Sequence, residues 1–63
     1  MAIEAALTAL PDSHRESAIL YYYSGLQIRE IARVQNATVS AVKSRLKAAR
    51  DSLRKLLSEE KYT

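Results

Sequence analysis

Sixty-three residues with one Gly, one Pro and no Cys allow a single small domain, exclude a disulfide framework and a cysteine-based zinc site, and fit a reducing, cytoplasmic setting. The formal net charge of +3 leans toward anionic partners. No apolar run approaches the roughly 20 residues of a membrane span.

The opening "MAIEAALTAL" carries Glu4 and no early basic residue, which suits a short helix better than a signal peptide. Ile3, Ala6, Leu7 and Leu10 have helical spacing, and Pro11 closes the segment. Ser13 and Glu16 have the S-x-x-E form of a capping box, in which two side chains satisfy each other's orphan backbone N–H groups. A second helix is expected to follow, turning Ile19, Leu20, Tyr22 and Tyr23 inward and ending at Gly25 in a left-handed C-cap. A third, short helix covers about Ile28 to Gln35, with Ile28, Ile31 and Ala32 on one face. Asn36 is the non-glycine residue best suited to the left-handed turn that ends it.

Thr38 is a good N-cap for a fourth helix of about twenty residues. Its buried stripe is Val39, Val42, Leu46, Ala49, Leu53 and Leu56. The tail "SEEKYT" is expected to be a solvated, frayed end. No β-alternation, repeat or linker interrupts the pattern. The fold class is all-α, a four-helix domain spanning residues 1–63.

The basicity is local. Lys43, Arg45, Lys47, Arg50, Arg54 and Lys55 stand against one acid, Asp51, while the first half of the chain is nearly neutral. A short helix, a tight turn and a longer basic helix form a helix-turn-helix. In that unit the first helix braces across the DNA backbone and the second lies in the major groove. Stepping 100° per residue from Val42 puts Ser40, Lys43, Ser44, Lys47, Asp51 and Arg54 on the outward arc. Lys43 and Lys47 are suited to donate to guanine O6 and N7, and Ser44 pairs with several bases. Arg45 and Arg50 flank the stripe toward the phosphates. Thr38 and the free N–H groups beside it suit another phosphate.

Periodicity leaves plainer readings open. A Lys/Arg stripe is commonly a solvated face, and a basic amphipathic helix also suits an acidic membrane or a partner groove. Against the membrane, the apolar side has no Trp or Phe and is committed to packing. Of the three tyrosines at 21–23, one or two are expected in the core and at least one exposed. His14, beside Asp12 and Ser13, cannot converge with them on one reacting atom at a helix start. One His, no Cys and scattered carboxylates make no metal site. The expectation is no enzyme, no catalytic residue, no cofactor and no small-molecule ligand.

The residues themselves resemble a family. Leu10-Pro11 with Arg15, then Gly25-Leu26, then Glu30-Ile31-Ala32, then Val42-Lys43-Ser44-Arg45-Leu46 with Ala49-Arg50 and Leu53 follow the pattern of region 4 of bacterial sigma-70 factors, the extracytoplasmic-function group in particular. The likeness runs from Leu10 to Leu57 in the family's order and spacing. It implies recognition of the promoter −35 element, contact with the flap of the RNA polymerase β subunit, and masking by an anti-sigma factor in many members. Carried over by position, Lys43, Ser44 and Lys47 face bases. Arg29, Thr38, Ser40, Arg45 and Arg50 hold the backbone, and Tyr21 is a candidate for a polymerase or anti-sigma interface.

Several positions depart from the pattern. Gln27 replaces the usual Ser and makes a poorer N-cap. Asn36 replaces the turn Gly, Ala37 a larger apolar residue, Ala41 a Thr, and Ser17-Ala18 a more apolar pair. A protein-interaction module of the same fold, bound by or titrating an anti-sigma factor, is the alternative. The effector domain of LuxR-type regulators shares part of the skeleton but usually lacks "SRL…AR". The domain that reads and opens the −10 region is not in these residues, so the chain is expected to be a fragment or a stand-alone domain.

Overall fold

The computed structural model describes residues 2–61, and side-chain surroundings over residues 4–58. The expectations for the Ile3 side chain and for residues 62–63 lie outside the described residues, and the tail expected to be frayed is helical as far as Lys61. Four helical segments are joined by tight turns, with no strand among the described residues: α1 (Ala2–Thr8), α2 (Asp12–Ala18, continued by a π-helical turn over Ile19–Tyr23), α3 (Ile28–Val34) and α4 (Val39–Lys61). The all-α reading holds.

The turn from α1 into α2 explains the Leu-Pro-x-x-x-Arg pattern. The Arg15 guanidinium donates to the Leu10 carbonyl at 3.2 Å and pairs with Asp12. One side chain thus closes the loop and satisfies a carbonyl of the turn that follows the first helix. The expected capping box at Ser13 and Glu16 is not formed. Pro11 is the N-cap, with no side-chain cap bond, and the helix has already begun at Asp12. Proline's fixed φ suits a helix entry, so the helix starts two residues earlier than the Ser/Glu register requires. Ser13 is left inside the first turn.

The second helix widens before it ends. The Ser24 N–H donates to the Ile19 carbonyl at 3.0 Å, and the Leu26 N–H to the Leu20 carbonyl at 2.9 Å. The first bond spans five residues, the step of a π-helix, and the second spans six; together they put an extra residue into the turn and move later side chains off the α-helical face. Leu20 accordingly stays packed against the core. Tyr22 and Tyr23, expected inward, are 59% and 90% exposed, and Ile19, also expected inward, is partly exposed. Ser17 and Ala18, the small pair just upstream, take the buried places instead. Gly25 has φ 75°, the left-handed value that glycine adopts without a Cβ penalty.

α3 ends as its sequence indicates. Asn36 has φ 51°. The Ala37 N–H donates to the Ala32 carbonyl at 2.8 Å and the Asn36 N–H to the Arg33 carbonyl at 3.2 Å, the paired bonds of a Schellman ending. At the other end, the Glu30 carboxylate accepts the Gln27 N–H at 2.8 Å. Glu30 thus satisfies the N–H of the N-cap residue, one half of a capping box with Gln27.

α4 is the frame of the molecule. At 1.5 Å per residue its 23 residues run about 35 Å, close to the longest dimension of 39 Å. Two core clusters are strung along it. Val42 and Leu46 pack with Ile31 and Ala32 of α3, with Leu20, Leu26, Ile28 and Ala37 around them. Ala49 packs with Leu10 and Ala18, flanked by Leu7 and Leu53. The stripe is as expected at Val42, Leu46 and Ala49, and Leu53 and Leu56 are half-buried. Val39, expected in it, is exposed. It opens the first turn of α4, ahead of the point where α3 covers the helix.

A polar junction ties three helices together. Gln35 Oε1 accepts from Arg45 Nη1 of α4 at 2.8 Å, and Gln35 Nε2 donates to Glu16 of α2 at 3.0 Å and to the Ser13 carbonyl at 3.2 Å. The fully buried Ser17 hydroxyl lies 2.8 Å from the Ser13 carbonyl and 3.0 Å from Gln35 Oε1, one proton facing two acceptors. Ser13 and Glu16, released from the expected cap, are used here.

Candidate nucleic-acid interface

The fourth helix owes its start to Thr38, whose Oγ1 accepts the Ala41 N–H at 3.0 Å. This is the N-cap bond, made to the third residue of the helix. From that start, the core stripe fixes which side chains face outward. Ser40, Lys43, Ser44, Lys47, Asp51 and Arg54 are all exposed, while Val42, Leu46 and Ala49 on the opposite side are buried. Lys43, Ser44 and Lys47, the set expected to face bases, therefore lie along one arc, with Ser40 one turn before it.

The residues expected to hold the DNA backbone are more dispersed. Arg50 is exposed on the edge of α4 and lines a shallow hollow with Lys43, Lys47, Tyr21 and Tyr22. Arg45 is half-buried and gives one guanidinium N–H to Gln35. Its remaining donors are left for another acceptor. Arg29 is exposed on α3 and shares no hydrogen bond with the others among the described residues.

Sequence reasoning missed the place of Tyr21 and Tyr22 beside the lysines. Their rings meet edge to face, with centroids 4.9 Å apart. The only signal was the tyrosine triplet, and the π-helical turn decides which way it points.

Electrostatically the arc is not uniformly positive. Lys47 Nζ donates to Asp51 Oδ2 at 3.1 Å, one turn along α4. That hydrogen bond and the Lys47 charge hold the Asp51 carboxyl below its ordinary range. Slight desolvation opposes the shift, and Arg50 and Arg54 add to it.

A second surface lies around the other side of α4. Leu7, Ile19, Tyr22, Tyr23 and Leu53, with Arg50, line an apolar trough of about 480 Å³. No helix among the described residues is long and apolar enough to cross a membrane.

A short helix bracing a long one across a four-residue turn, with a donor-rich arc set over a buried stripe, defines a helix-turn-helix domain of the kind that presents a recognition helix to a groove. The family model for sigma-70 region 4 matches residues 1–53, and the chain belongs to that family. It is similar to the ECF RNA polymerase sigma factor SigW of Bacillus subtilis (strain 168), with 35% identity over 57 residues. The match takes in 90% of this chain and 30% of that protein, so the chain spans about a third of the relative's length. No solved structure gives a significant match.

Proposed function

We propose that this domain reads the −35 element of a promoter through the major groove and contacts the β flap of RNA polymerase during transcription initiation. Lys43, Ser44 and Lys47 face the bases. Arg29, Thr38, Ser40, Arg45 and Arg50 hold the phosphate backbone. The observation that carries this reading is the exposed arc of α4, where these base-facing side chains stand over Val42, Leu46 and Ala49 in a chain of the sigma-70 region 4 family. Three donor-bearing side chains on adjacent turns match the donor-accepting edges of guanine, which no other base presents in the same pattern.

The apolar trough supports the polymerase contact. An amphipathic helix seats its apolar face in such a groove, and the exposed Tyr22 and Tyr23 give it large, rigid side chains to pack against. The same trough favours a second reading, a sigma-like module bound by, or titrating, an anti-sigma factor.

A salt series of binding to a duplex pool with a randomised −35-like segment separates the two. The wild-type domain and the Lys43→Ala/Lys47→Ala variant are compared side by side. Enrichment of one sequence by the wild type, lost in the double variant, is the expected result, with affinity falling steeply as salt rises because phosphate contacts dominate. Absence of sequence preference at low salt would move the assignment to the protein-binding module.

A further inference from the structure

We infer that Asp51 is a specificity-determining residue of the recognition helix, which holds the Lys47 ammonium against indiscriminate phosphate contact and lets it engage guanine. This rests on α4 being the helix that enters the groove. Asp51 is the one acid between Lys43 and Lys55, and it lies on the DNA-facing arc rather than on the core or trough side. Its carboxylate accepts from Lys47 at 3.1 Å, with the two side chains 50% and 71% exposed respectively.

The chemistry of the pair differs between the two kinds of complex. A lysine ammonium has three donors and no acceptor. With one N–H on Asp51, two remain, which is the number of acceptors that guanine presents as O6 and N7 in the major groove. At a matching site the pair therefore stays intact while Lys47 reads the base. Without guanine at that position the base offers at most one acceptor, adenine N7 or thymine O4, and the other acceptors are phosphate oxygens on the groove wall. To reach them the ammonium must leave Asp51, and the carboxylate is then left facing phosphate, a like charge. Asp51 opposes the second complex more than the first. Its cost in affinity falls mainly on the wrong DNA.

The test compares wild type, Asp51→Asn and Asp51→Glu on a duplex selected from the randomised pool and on a scrambled duplex, across a salt series. Asp51→Asn is expected to raise affinity for the scrambled duplex about fivefold, the upper range for losing an exposed ion pair. Its salt dependence should steepen by about one phosphate equivalent, and affinity for the selected duplex should change much less. Asp51→Glu keeps the charge and should keep the low affinity for scrambled DNA. An equal rise on both duplexes, or no change on either, overturns the inference while leaving promoter reading intact. A wild-type domain that selects no sequence overturns both. Far-UV circular dichroism of each variant shows whether the fold is retained.

Discussion

The junction at Gln35 makes a strong claim about energetics, because three helices meet on one amide. Gln35→Ala removes an acceptor from Arg45 and from Ser17, and a donor from Glu16 and from the Ser13 carbonyl. The losses are unequal. Glu16 is exposed, so water replaces the amide at little cost. Ser17 is fully buried but keeps the Ser13 carbonyl at 2.8 Å, so its hydroxyl is not orphaned. Arg45 is half-buried and loses a charge-assisted bond worth about 1.5–3 kcal/mol, reduced here by solvent access.

Freeing the Gln side chain returns some rotamer entropy, and the net expectation is about 1–2 kcal/mol. In a domain of this size that lowers the melting temperature by roughly 5–15 °C, read by far-UV circular dichroism. Gln35→Leu alone should destabilise comparably. Combining it with Ser17→Ala should recover part of the loss, since replacing both members of a polar pair by apolar groups is nearly neutral. A Gln35→Ala melt within about 2 °C of wild type would refute this account. So would strictly additive effects of Ser17→Ala and Gln35→Ala.

Three further expectations follow from single positions. Gly25→Ala is expected to cost about 1–2 kcal/mol purely through backbone strain at φ 75°, because a Cβ there would meet no atom within 4 Å; Gly25→Asn should cost less, and equal urea midpoints for Ala and wild type would contradict it. Under the proposed function, Lys43→Ala relaxes base preference at one position, whereas Arg50→Ala weakens all sequences alike and lowers the salt slope by about one; pool selection distinguishes them. The Asp51 carboxyl titrates below the ordinary range because of Lys47, so its contribution to stability is present above the unfolded-state pKa and is lost as pH falls through the folded one. Carboxyl NMR titration should show the midpoint rising in Lys47→Ala, and an unchanged midpoint would mean the pair is not populated.

What the sequence made legible were features set by local chemistry. Gly25 and Asn36 were marked because few residues tolerate a left-handed conformation, and both adopt it. Thr38 was marked as a cap and makes the cap bond. The buried stripe of α4 follows from helical period alone at Val42, Leu46 and Ala49.

The misses share one cause, dependence on another segment. The widened turn at Ile19–Tyr23 leaves no clear signature in hydrophobic period, so Tyr22 and Tyr23 looked inward. Glu16 had a local partner in Ser13, but its carboxylate instead accepts from Gln35, 19 residues away, which also reaches the Ser13 carbonyl. Ser17 was recognisable as a polar departure from its family's pattern. Only the fold shows that Gln35, also polar and facing it, makes that departure tolerable.

The fourth helix borders three surfaces at once, and their separation yields a last prediction. Buried Val42, Leu46 and Ala49 take one side, the arc from Ser40 to Asp51 another, and the half-buried Leu53, farther along the buried stripe, borders the trough. Arg50 lines both the trough and the hollow beside Lys43 and Lys47, so it is the single described side chain where the surfaces proposed for polymerase and for DNA meet on α4. Tyr22 joins them from the neighbouring helix in the same way.

A substitution deep in the trough and away from those two should therefore separate the activities. Ile19 is such a site, lining the trough alone of the two and already 39% exposed, so a charge there avoids the cost of full burial. Ile19→Glu is expected to abolish capture of the polymerase flap while leaving the selected DNA sequence and its salt dependence at wild-type values. If Ile19→Glu, still folded by circular dichroism, lost sequence preference as completely as Lys43→Ala, the trough and the arc would be one surface. The division of α4 into separate faces for two partners would then be wrong.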